Sequence, residues 1–425
     1  MKVLAYTSPA RGHLNPMMGP LLELRRRGAE VHVRTLASEV GSVRAAGLDA
    51  QPIDPAIERI EMDDHSQKGQ IAQGKQCFVV WGARAPLEVA DLRSAVAQTA
   101  PDVTLVDTTT FGAKAAAEAD GLTWAESRPF LLEDPAPGVP PFGLGLKPRG
   151  DLVGHLRDKV LGAVASRFDA KARLPVVNAG REAAGLPPLR SAEEMRNRAP
   201  MTLYFTAEPF EYPRPLPAGV VMVGAAERDP PAELPPLPAD DRPLVLVACS
   251  SEFQDDSDIA RAALAGLTED YRVVVTTAGV DPATLQPRGG AVIERFLPHS
   301  ALLPQAAVVV CHGGMGITQK ALSHGVPVCV VPWGRDQLDV AAHVEAAGAG
   351  VTLPRKRLSP ETLAQAVGRT RACVAGAARV RAGYEETGRA TAAADALARL
   401  AGEGAHVSSV GTREHGAAAP APTHH

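Results

Sequence analysis

The segment that most constrains the fold is residues 306–339, AAVVVCHGGMGITQKALSHGVPVCVVPWGRDQLD. The continuous apolar run at residues 308–311 is typical of a strand that is buried on both faces of a parallel sheet. A glycine-rich turn and a helical pattern follow, and a second apolar run at residues 326–331 ends at Pro332. This succession of strand, turn, helix and strand predicts a fold of the α/β class.

The turn predicts an anion-binding site, because it places His312, Gly313, Gly314 and Gly316 at the start of a helix. Backbone N–H groups at a helix N-terminus lack intrahelical partners, and the helix dipole favours negative charge there. The glycines would let a phosphate approach the backbone closely. Taken alone, the glycines are also compatible with an ordinary tight turn between strand and helix. The polar residues 334–337 follow the second strand, at the edge where open α/β sheets bind ligands.

A similar alternation of strands and helices precedes this segment. Strand-like runs at residues 2–6 and 103–107 predict another Rossmann-like domain, and 425 residues with 45% hydrophobic content suffice for two cores. Ten prolines at residues 209–243 indicate the domain boundary. Residues after 404 lack apolar periodicity, which predicts disorder. We therefore expect a first domain at 1–215, a linker at 216–242, a second domain at 243–384, a last helix at 385–403 and a disordered tail at 404–425.

The net charge, the cysteines, the apolar runs and one acidic run argue against binding to nucleic acid, insertion into a membrane and a metal site. The formal net charge of −4 gives no reason to expect nucleic acid or an anionic membrane as a partner. The five cysteines are scattered without metal-ligand spacing, and we interpret them as reduced core residues of a cytoplasmic protein. We expect no signal peptide, and no apolar run is long enough for stable membrane insertion. The acidic run at residues 255–258 precedes a helical stretch, where acidic residues are favourable, so we predict no metal site.

The 306–339 segment resembles the donor-site signature of family 1 glycosyltransferases, which are inverting sugar transferases of the two-domain GT-B fold. The family pattern is His-Gly-Gly-x-Gly-Thr, then Gly-x-Pro, then Asp-Gln at this spacing. The matching residues are His312, Gly313, Gly314, Gly316, Gly325, Pro327, Asp336 and Gln337. Ile317 departs from the pattern, where a hydroxyl residue usually contacts phosphate, and Thr318 is the expected substitute. Lys320 replaces a glutamate that contacts ribose in plant members, which would bring an ammonium near the phosphates.

This resemblance implies two Rossmann-like domains with a cleft between them and a C-terminal helix that crosses back to the first domain. It implies a nucleotide sugar, linked to UDP or dTDP, as co-substrate without a further cofactor, and a small hydrophobic natural product as acceptor. The expected donor-binding residues are Ser250, Ser251, Phe296, Leu297, His312, Gly313, Gly314, Met315, Gly316, Thr318, Asp336 and Gln337.

Two parts of the donor site have competing interpretations. Phe296 opens a Phe-Leu-Pro-His segment that resembles the family's Trp-x-Pro-Gln, whose aromatic ring stacks on the nucleobase. Packing in the core is the alternative for this ring. Ser250 and Ser251 follow a predicted strand, so their hydroxyls either face the donor phosphates or cap the next helix.

His13 and Asp107 are the candidate catalytic residues. His13 lies between the first strand and a helix for which Asn15 and Pro16 are the predicted N-cap and first position. A helix N-terminus disfavours imidazolium, so a histidine there stays neutral and can accept a proton. The segment resembles the family's Gly-His-x-x-Pro element, whose histidine deprotonates the acceptor. The alternative is a histidine that bonds only to local backbone.

Asp107 ends a predicted strand whose carboxyl end lies at the same sheet edge as His13. In the family, an aspartate near this place bonds the histidine, and such a carboxylate fixes the tautomer and stabilises the imidazolium. The alternative is an aspartate that caps the helix after Thr110.

Two irregular segments, residues 58–82 and 133–150, interrupt the first domain, and long irregular segments are usually functional or disordered. We weigh an acceptor-binding lid against a solvated variable loop for both. The expected acceptor-binding residues are Phe78, Trp81, Phe130 and Phe142.

Two other functions remain compatible with the sequence. A GT-B epimerase acting on a nucleotide sugar would keep the phosphate turn without needing a large acceptor cleft. A catalytically silent GT-B protein could act as the partner of a second enzyme, although His13 and Asp107 argue against it. A homodimer is compatible with the sequence, which does not define the oligomeric state.

Overall fold

The computed structural model describes residues 1–67, 69–196, 198–229, 232–237, 240–251, 254 and 256–414. In this part of the chain, two parallel β-sheets, each flanked by helices, form two Rossmann-like domains. The prediction of an α/β fold with two such domains is therefore confirmed.

The first domain contains a sheet of seven strands among the described residues, in the order β3-β2-β1-β4-β5-β6-β7. Each neighbouring pair is parallel. Its elements in chain order are β1 Lys2–Tyr6, α1 Arg11–Arg26, β2 Glu30–Thr35, α2 Ala37–Ala45, β3 Asp49–Pro52, α3 Pro55–Glu58, α4 Gln70–Thr99, β4 Val103–Asp107, α5 Phe111–Ala119, β5 Trp124–Arg128, α6 Leu152–Ala184, α7 Ala192–Met195, β6 Met201–Tyr204 and β7 Val220–Met222.

The second domain contains a six-stranded parallel sheet in the described residues, ordered β10-β9-β8-β11-β12-β13. Its elements are β8 Leu244–Ala248, α8 Ser257–Gly266, β9 Arg272–Thr276, β10 Val292–Glu294, α9 His299–Leu302, β11 Ala306–Cys311, α10 Met315–Ser323, β12 Val328–Val330, α11 Gln337–Ala346, β13 Gly350–Thr352, α12 Pro360–Thr370, α13 Val374–Glu386 and α14 Arg389–Glu414. Short 3₁₀ turns at Asp64–Ser66, Pro282–Thr284, Leu303–Gln305, Arg355–Arg357 and Arg371–Cys373 join some of the elements of the two domains.

The central strands are buried on both faces, as their apolar runs predict. All five residues of β8 are buried, and alternate residues of β11 belong to different core clusters on opposite faces of the sheet. Burial on both faces removes the polar-apolar alternation of a half-exposed strand, which is why these strands are continuous valine-rich runs.

Helix α14 returns to the first domain, as the resemblance implies. Ala393, Leu397 and Leu400 pack in the same core cluster as Val3 of β1 and Leu21 of α1. This apolar contact attaches the end of the chain to the domain in which it begins.

The bounds of several elements differ from the sequence predictions. Helix α1 begins at Arg11, so Pro16 lies inside the helix and Asn15 is not its N-cap. The first turn forms before the proline, since the N–H groups of His13 and Leu14 both donate to the carbonyl of Ala10. The 58–82 segment is helical from Gln70 onward, because it continues into α4.

The 33-residue helix α6 ends at Ala184, and its C-cap Gly185 adopts a left-handed conformation with a φ of 84°. In the first part of α6 the apolar residues do not mark a buried face, because Leu152, Leu156 and Val160 are more than half exposed, whereas Val176 and Ala184 near its end are buried. The predicted linker also contains β7, which pairs with β6, since the prolines lie on either side of the strand.

The last helix runs from Arg389 to Glu414 instead of spanning residues 385–403, so the first part of the predicted tail is helical. No proline interrupts the chain between Arg389 and Glu414. Residues 415–425 of that predicted tail lie outside the described residues.

Candidate active site

A cavity of about 1840 Å³ lies between the two domains. The loops that follow strands β1, β4, β8 and β11 reach it, because the carboxyl ends of both parallel sheets face the gap between the domains. This is the edge at which open α/β sheets bind ligands.

His13 and Asp107 meet in the first-domain wall of this cavity. Their side chains are joined by a hydrogen bond of 2.8 Å between His13 Nδ1 and Asp107 Oδ1. His13 lies in the first turn of α1, and Asp107 is the last residue of β4. The parallel pairing of β1 with β4 places both chain segments at one sheet edge. The histidine keeps 13% of its side chain exposed, whereas the carboxylate is 1% exposed.

The surroundings of Asp107 favour an ionised carboxylate. Burial would raise its pKa, but the charge and hydrogen bond of His13, together with the N–H of Ser8, bring the pKa down to about 2. Its Oδ1 also accepts a bond from the N–H of Thr109. The competing role as a helix cap is not observed, since the N-cap of α5 is Thr110 and has no side-chain cap.

Aromatic rings line the first-domain side of the cavity. The Phe130 ring lies 5.0 Å from the His13 ring in an edge-to-face arrangement. Phe78 and Trp81 form a second edge-to-face pair, with centroids 5.3 Å apart, and Phe111 lies 6.0 Å beyond Trp81. Phe142 lines the cavity as well. The four aromatic residues predicted to bind an acceptor therefore all reach one cavity.

A group of charged residues on the same side was not predicted from the sequence. Glu126, in the middle of β5, pairs with Lys114 at 3.2 Å and with Arg128 at 2.8 Å, and accepts a bond from the Thr108 hydroxyl. Burial would raise the pKa of Glu126, but the neighbouring cations lower it to about 2. Lys114 and Thr108 lie outside the strand that carries Glu126 and Arg128, and no local motif links them, so only the folded chain reveals the group.

In the second domain, the glycine-rich turn brings the N-terminus of α10 to the cavity. Gly313 adopts a φ of 93°, which glycine tolerates best, and a Cβ there would lie 2.7 Å from Val330 Cγ1. Gly316, in the first turn of α10, has open space where a Cβ would lie. The helix start has no side-chain cap, so its backbone N–H groups are available to an anion.

The turn residues next to the glycines are largely buried. His312 is 7% exposed, and burial, aided by the charge of Arg335, lowers its pKa to about 4. A neutral His312 ring adjoins the turn as a result. Met315, at 6% exposed, packs in the second-domain core while also lining the cavity.

Two predicted phosphate contacts are not supported by the structure. Thr318 is fully buried, and its hydroxyl lies 3.7 Å from Cys311 Sγ on the inner side of α10. In this structure the Thr318 hydroxyl therefore does not face the cavity, and its contact with phosphate remains a prediction. The ammonium of Lys320 pairs with Asp229 of the linker at 2.8 Å and also bonds the Arg228 carbonyl, so its charge is already matched.

The other donor residues differ in how far they reach the cavity. Phe296 is partly exposed in the cavity wall, under the Arg11 guanidinium at 5.3 Å, and is not a core residue. Leu297 is 2% exposed and belongs to the core of the second domain. Ser250 and Ser251 line the cavity, and neither caps α8, whose N-cap is Asp256. The Ser250 N–H donates to Asp256 Oδ2 at 2.8 Å.

The Asp-Gln pair lines the cavity at the start of α11, where Asp336 is the N-cap and Gln337 is the first helical residue. Burial raises the pKa of Asp336 to about 6, and its Oδ2 atom has no hydrogen-bond partner within the described part of the chain. Gln337 is 2% exposed. Its Oε1 accepts from the N–H groups of Trp333 and Gly334, and its Nε2 donates to Gln254. A ligand hydroxyl would have to displace Gln254 to reach the side-chain amide of Gln337. Asp336 is therefore the more accessible member of the pair.

Two further properties concern only the residues that the structure describes. None of their helices has the length and hydropathy of a membrane-spanning segment. They also contain no group of three or more His, Cys, Asp or Glu side chains arranged to hold a metal ion.

Comparison with known proteins identifies the family to which the chain belongs. Residues 263–400 match the family model described as erythromycin biosynthesis protein CIII-like, C-terminal domain. The 4'-demethylrebeccamycin synthase of Lentzea aerocolonigenes is 32% identical over 389 residues, covering 86% of this chain and 90% of that protein. The aklavinone 7-beta-L-rhodosaminyltransferase of Streptomyces galilaeus is 27% identical over 408 residues, covering 85% of this chain and 86% of that protein.

Solved structures give the same fold. The glycosyltransferase of kitacinnamycin matches with a TM-score of 0.71 at 21% identity, over 94% of this chain and 98% of that one. The glycosyltransferase VinC in complex with dTDP matches with a TM-score of 0.68 at 23% identity, over 95% and 100% of the two chains. The resemblance found in the sequence is confirmed by these findings. The chain therefore belongs to the bacterial natural-product glycosyltransferases of the GT-B fold.

Proposed function

We propose that this enzyme transfers a sugar, with inversion, from a nucleotide diphosphate to a hydroxyl group of a small hydrophobic natural product. The observation that carries the proposal is the hydrogen bond between His13 and Asp107, in a cavity that also receives the N-terminus of α10. A base and an anion site on opposite walls are what such a displacement needs.

In this proposal, His13 is the general base. Its Nδ1 faces Asp107, which leaves Nε2 as the nitrogen that takes the proton of the acceptor hydroxyl. The acceptor oxygen attacks the anomeric carbon as the bond to the nucleotide diphosphate breaks on the opposite face. The ionised Asp107 holds the tautomer and stabilises the imidazolium that forms. The backbone N–H groups at the start of α10 stabilise the departing diphosphate.

The donor contacts follow the walls of the second domain. Phe296 offers its partly exposed ring to the nucleobase, and Asp336 accepts bonds from sugar hydroxyls. The donor carries UDP or dTDP; the solved structure of VinC, which shares the fold, is a complex with dTDP.

The acceptor occupies the aromatic part of the cavity, beside Phe130 and Trp81. The relative from Streptomyces galilaeus acts, by its name, on aklavinone, which supports a natural-product acceptor. The epimerase alternative has no comparable support, because an epimerase would not need a space of about 1840 Å³ shared by both domains.

The test uses His13→Ala. We expect transfer to an acceptor hydroxyl to fall below detection, while isothermal titration with UDP and dTDP gives the wild-type affinity for the nucleotide. An NMR coupling constant of the product's anomeric proton reports whether the configuration is inverted. A His13→Ala variant that turns over at the wild-type rate, or a product with retained configuration, would contradict the proposal.

A further inference from the structure

Two stretches of the first domain cross the cavity and hold the segment 335–339 of the second domain at both ends. One stretch carries Asp64, and the other is the loop that contains Gly143 and Gly145. The segment between these two contacts includes Asp336. Neither contact belongs to the catalytic pair or to the glycine-rich turn.

The first contact is an ion pair between Asp64 and Arg335. Two parallel hydrogen bonds of 2.8 Å join Arg335 Nε to Asp64 Oδ2 and Arg335 Nη2 to Asp64 Oδ1. The Asp64 side chain is 2% exposed, and that of Arg335 is 26% exposed. This two-point geometry fixes orientation as well as distance, which a single bond would not do.

Arg335 also has an unusual backbone conformation. Its φ of 55° lies in the left-handed region, which residues other than glycine rarely adopt. Such a conformation persists only when its surroundings hold it in place. The residue immediately after it is Asp336. The pair with Asp64 therefore stabilises the backbone turn that directs the Asp336 carboxylate.

The second contact is made by Asp339, three residues further on. Its Oδ2 accepts the N–H of Gly143 at 2.9 Å, and its Oδ1 accepts the N–H of Gly145 at 3.1 Å. A Cβ at Gly145 would lie 2.7 Å from Leu338 Cβ, so the loop approaches α11 as closely as glycine allows. Lys147 of the same loop pairs with Glu345 at 2.8 Å.

We propose that Asp64, Arg335 and Asp339 are positioning residues, which form an interdomain clasp that sets Asp336 against the sugar of the donor. This inference rests on the proposed function, because that function gives Asp336 its sugar. Residues 58–82 and 133–150 also supply Phe78, Trp81 and Phe142 to the acceptor wall. The same two stretches thus complete the acceptor site and orient the donor sugar. The donor sugar and the acceptor hydroxyl are therefore placed correctly for reaction only when the clasp is formed.

The clasp predicts a separation of turnover from nucleotide binding. The glycine-rich turn and Phe296 bind the nucleotide within the second domain, so loss of the clasp should leave the affinity for UDP or dTDP within about twofold. The misplaced sugar should lower kcat for transfer by about tenfold to a hundredfold. Water entering the opened cavity should raise the share of donor that is hydrolysed.

Variants of the ion pair test this separation. Asp64→Ala removes the acceptor carboxylate, and Arg335→Gly removes the guanidinium while leaving a residue that adopts the left-handed conformation freely. If the ion pair between Asp64 and Arg335 is what positions Asp336, the double variant should lose no more kcat than either single variant. Asp120→Asn is the matched control, because Asp120 forms the same two-point pair with Arg93 inside the first domain. Unchanged kcat in both single variants, or losses that multiply in the double variant, would refute the role of the ion pair.

The loop contact has its own pair of variants. Gly145→Ala places a methyl group against Leu338, whereas Gly121→Ala, at a similar left-handed backbone conformation in the first domain, meets open space. We expect the first to behave like Asp64→Ala and the second like wild type. Equal kcat values for the two variants would overturn the assignment of this loop to the clasp.

A measurement without turnover separates this inference from the proposed function. Small-angle X-ray scattering of the full chain should give a larger radius of gyration for Asp64→Ala combined with Asp339→Asn than for wild type or Asp120→Asn. If the wild type transfers no sugar from UDP-glucose or dTDP-glucose to any of a panel of polycyclic phenols, yet the double variant opens, the proposed function fails while the interdomain contact of the clasp stands. If the radius is unchanged in the double variant, the clasp is wrong whatever the activity.

Discussion

His13 Nδ1 and Asp107 Oδ1 lie 2.8 Å apart although 94 residues separate them in the chain. Parallel pairing of β1 and β4 brings them together, and the N–H of Ser8 holds the second carboxylate oxygen at 3.0 Å. The aspartate is thus fixed by the sheet edge itself, and the ring that it orients is the one that remains partly exposed in the cavity.

Asp107→Asn should remove catalysis without removing the fold. An amide in this place can donate to Nδ1 of the ring, which leaves the proton on Nε2, the wrong nitrogen for a base. We expect kcat to fall on the order of 10³-fold or more, as for other histidine–aspartate pairs. The nucleotide affinity should not change, and circular dichroism should match wild type. A variant with full kcat would show that the carboxylate does not orient the base.

Gly316→Ala tests whether a phosphate occupies the open space at the start of α10. Alanine favours a helix over glycine by up to about 1 kcal/mol, so the melting temperature should stay level or rise. If the diphosphate packs there, the added methyl group should weaken dTDP or UDP binding at least about tenfold, or ~1.4 kcal/mol.

Gly368→Ala is the control for that variant, because Gly368 lies in α12 and also has open space around it. It should gain the same stability and keep the wild-type nucleotide affinity in calorimetry. If both variants bind the nucleotide equally well, the diphosphate does not approach Gly316.

Much of the fold could be predicted because the buried strands and the glycine-rich turn are local patterns. Predicting the His13–Asp107 contact required one further rule, namely that the carboxyl ends of neighbouring parallel strands lie at the same edge of the sheet. The position of Thr318 could not be predicted in this way, because residues 318–323 of α10 are all buried and no periodic pattern separates its inner side from its cavity side.

The contacts between the two domains could not be predicted in the same way. Asp64 and Arg335 are 271 residues apart, and neither belongs to a recognisable motif. Their pairing depends on how the domains face each other, which no local periodicity encodes. The same holds for Gly145, whose role is visible only when Leu338 lies against it.

Asp336 should make binding of the nucleotide sugar depend on pH. Burial raises its pKa to about 6, so the carboxylate that accepts sugar hydroxyl bonds becomes ionised as the pH rises through this value. We expect the affinity for UDP-glucose or dTDP-glucose to increase from pH 5 to pH 7. Asp336→Asn should weaken binding at pH 7 and flatten this profile, and the same slope in both proteins would exclude Asp336 as its source.

The stability of the protein should respond to Asp336 in the opposite direction. Because the pKa is higher in the folded than in the unfolded chain, the folded state binds more protons between about pH 4 and pH 6. The contribution of Asp336 to the stability of the folded state is therefore present below its unfolded pKa and is lost as the pH rises through about 6. Chemical denaturation of wild type and Asp336→Asn at pH 4.5 and 7 measures it, and the stability difference between the two proteins should depend on pH.

Glu126→Gln should destabilise the first domain, because it leaves Lys114 and Arg128 without their shared carboxylate beside the cavity. Removing one partner of a buried ion pair costs about 3–5 kcal/mol, and the two cations keep about a fifth of their side chains exposed, so we expect a loss near 3 kcal/mol. Glu385→Gln is the control, since its pair with Arg381 is half exposed and its loss should not change the melting temperature measurably.

Because the pKa of Glu126 is lowered to about 2, the stability that it supplies should be present above its unfolded pKa and lost only as the pH falls toward 2. Equal melting temperatures for the two variants at pH 7 would mean that the neighbouring carboxylates neutralise the cations in its place.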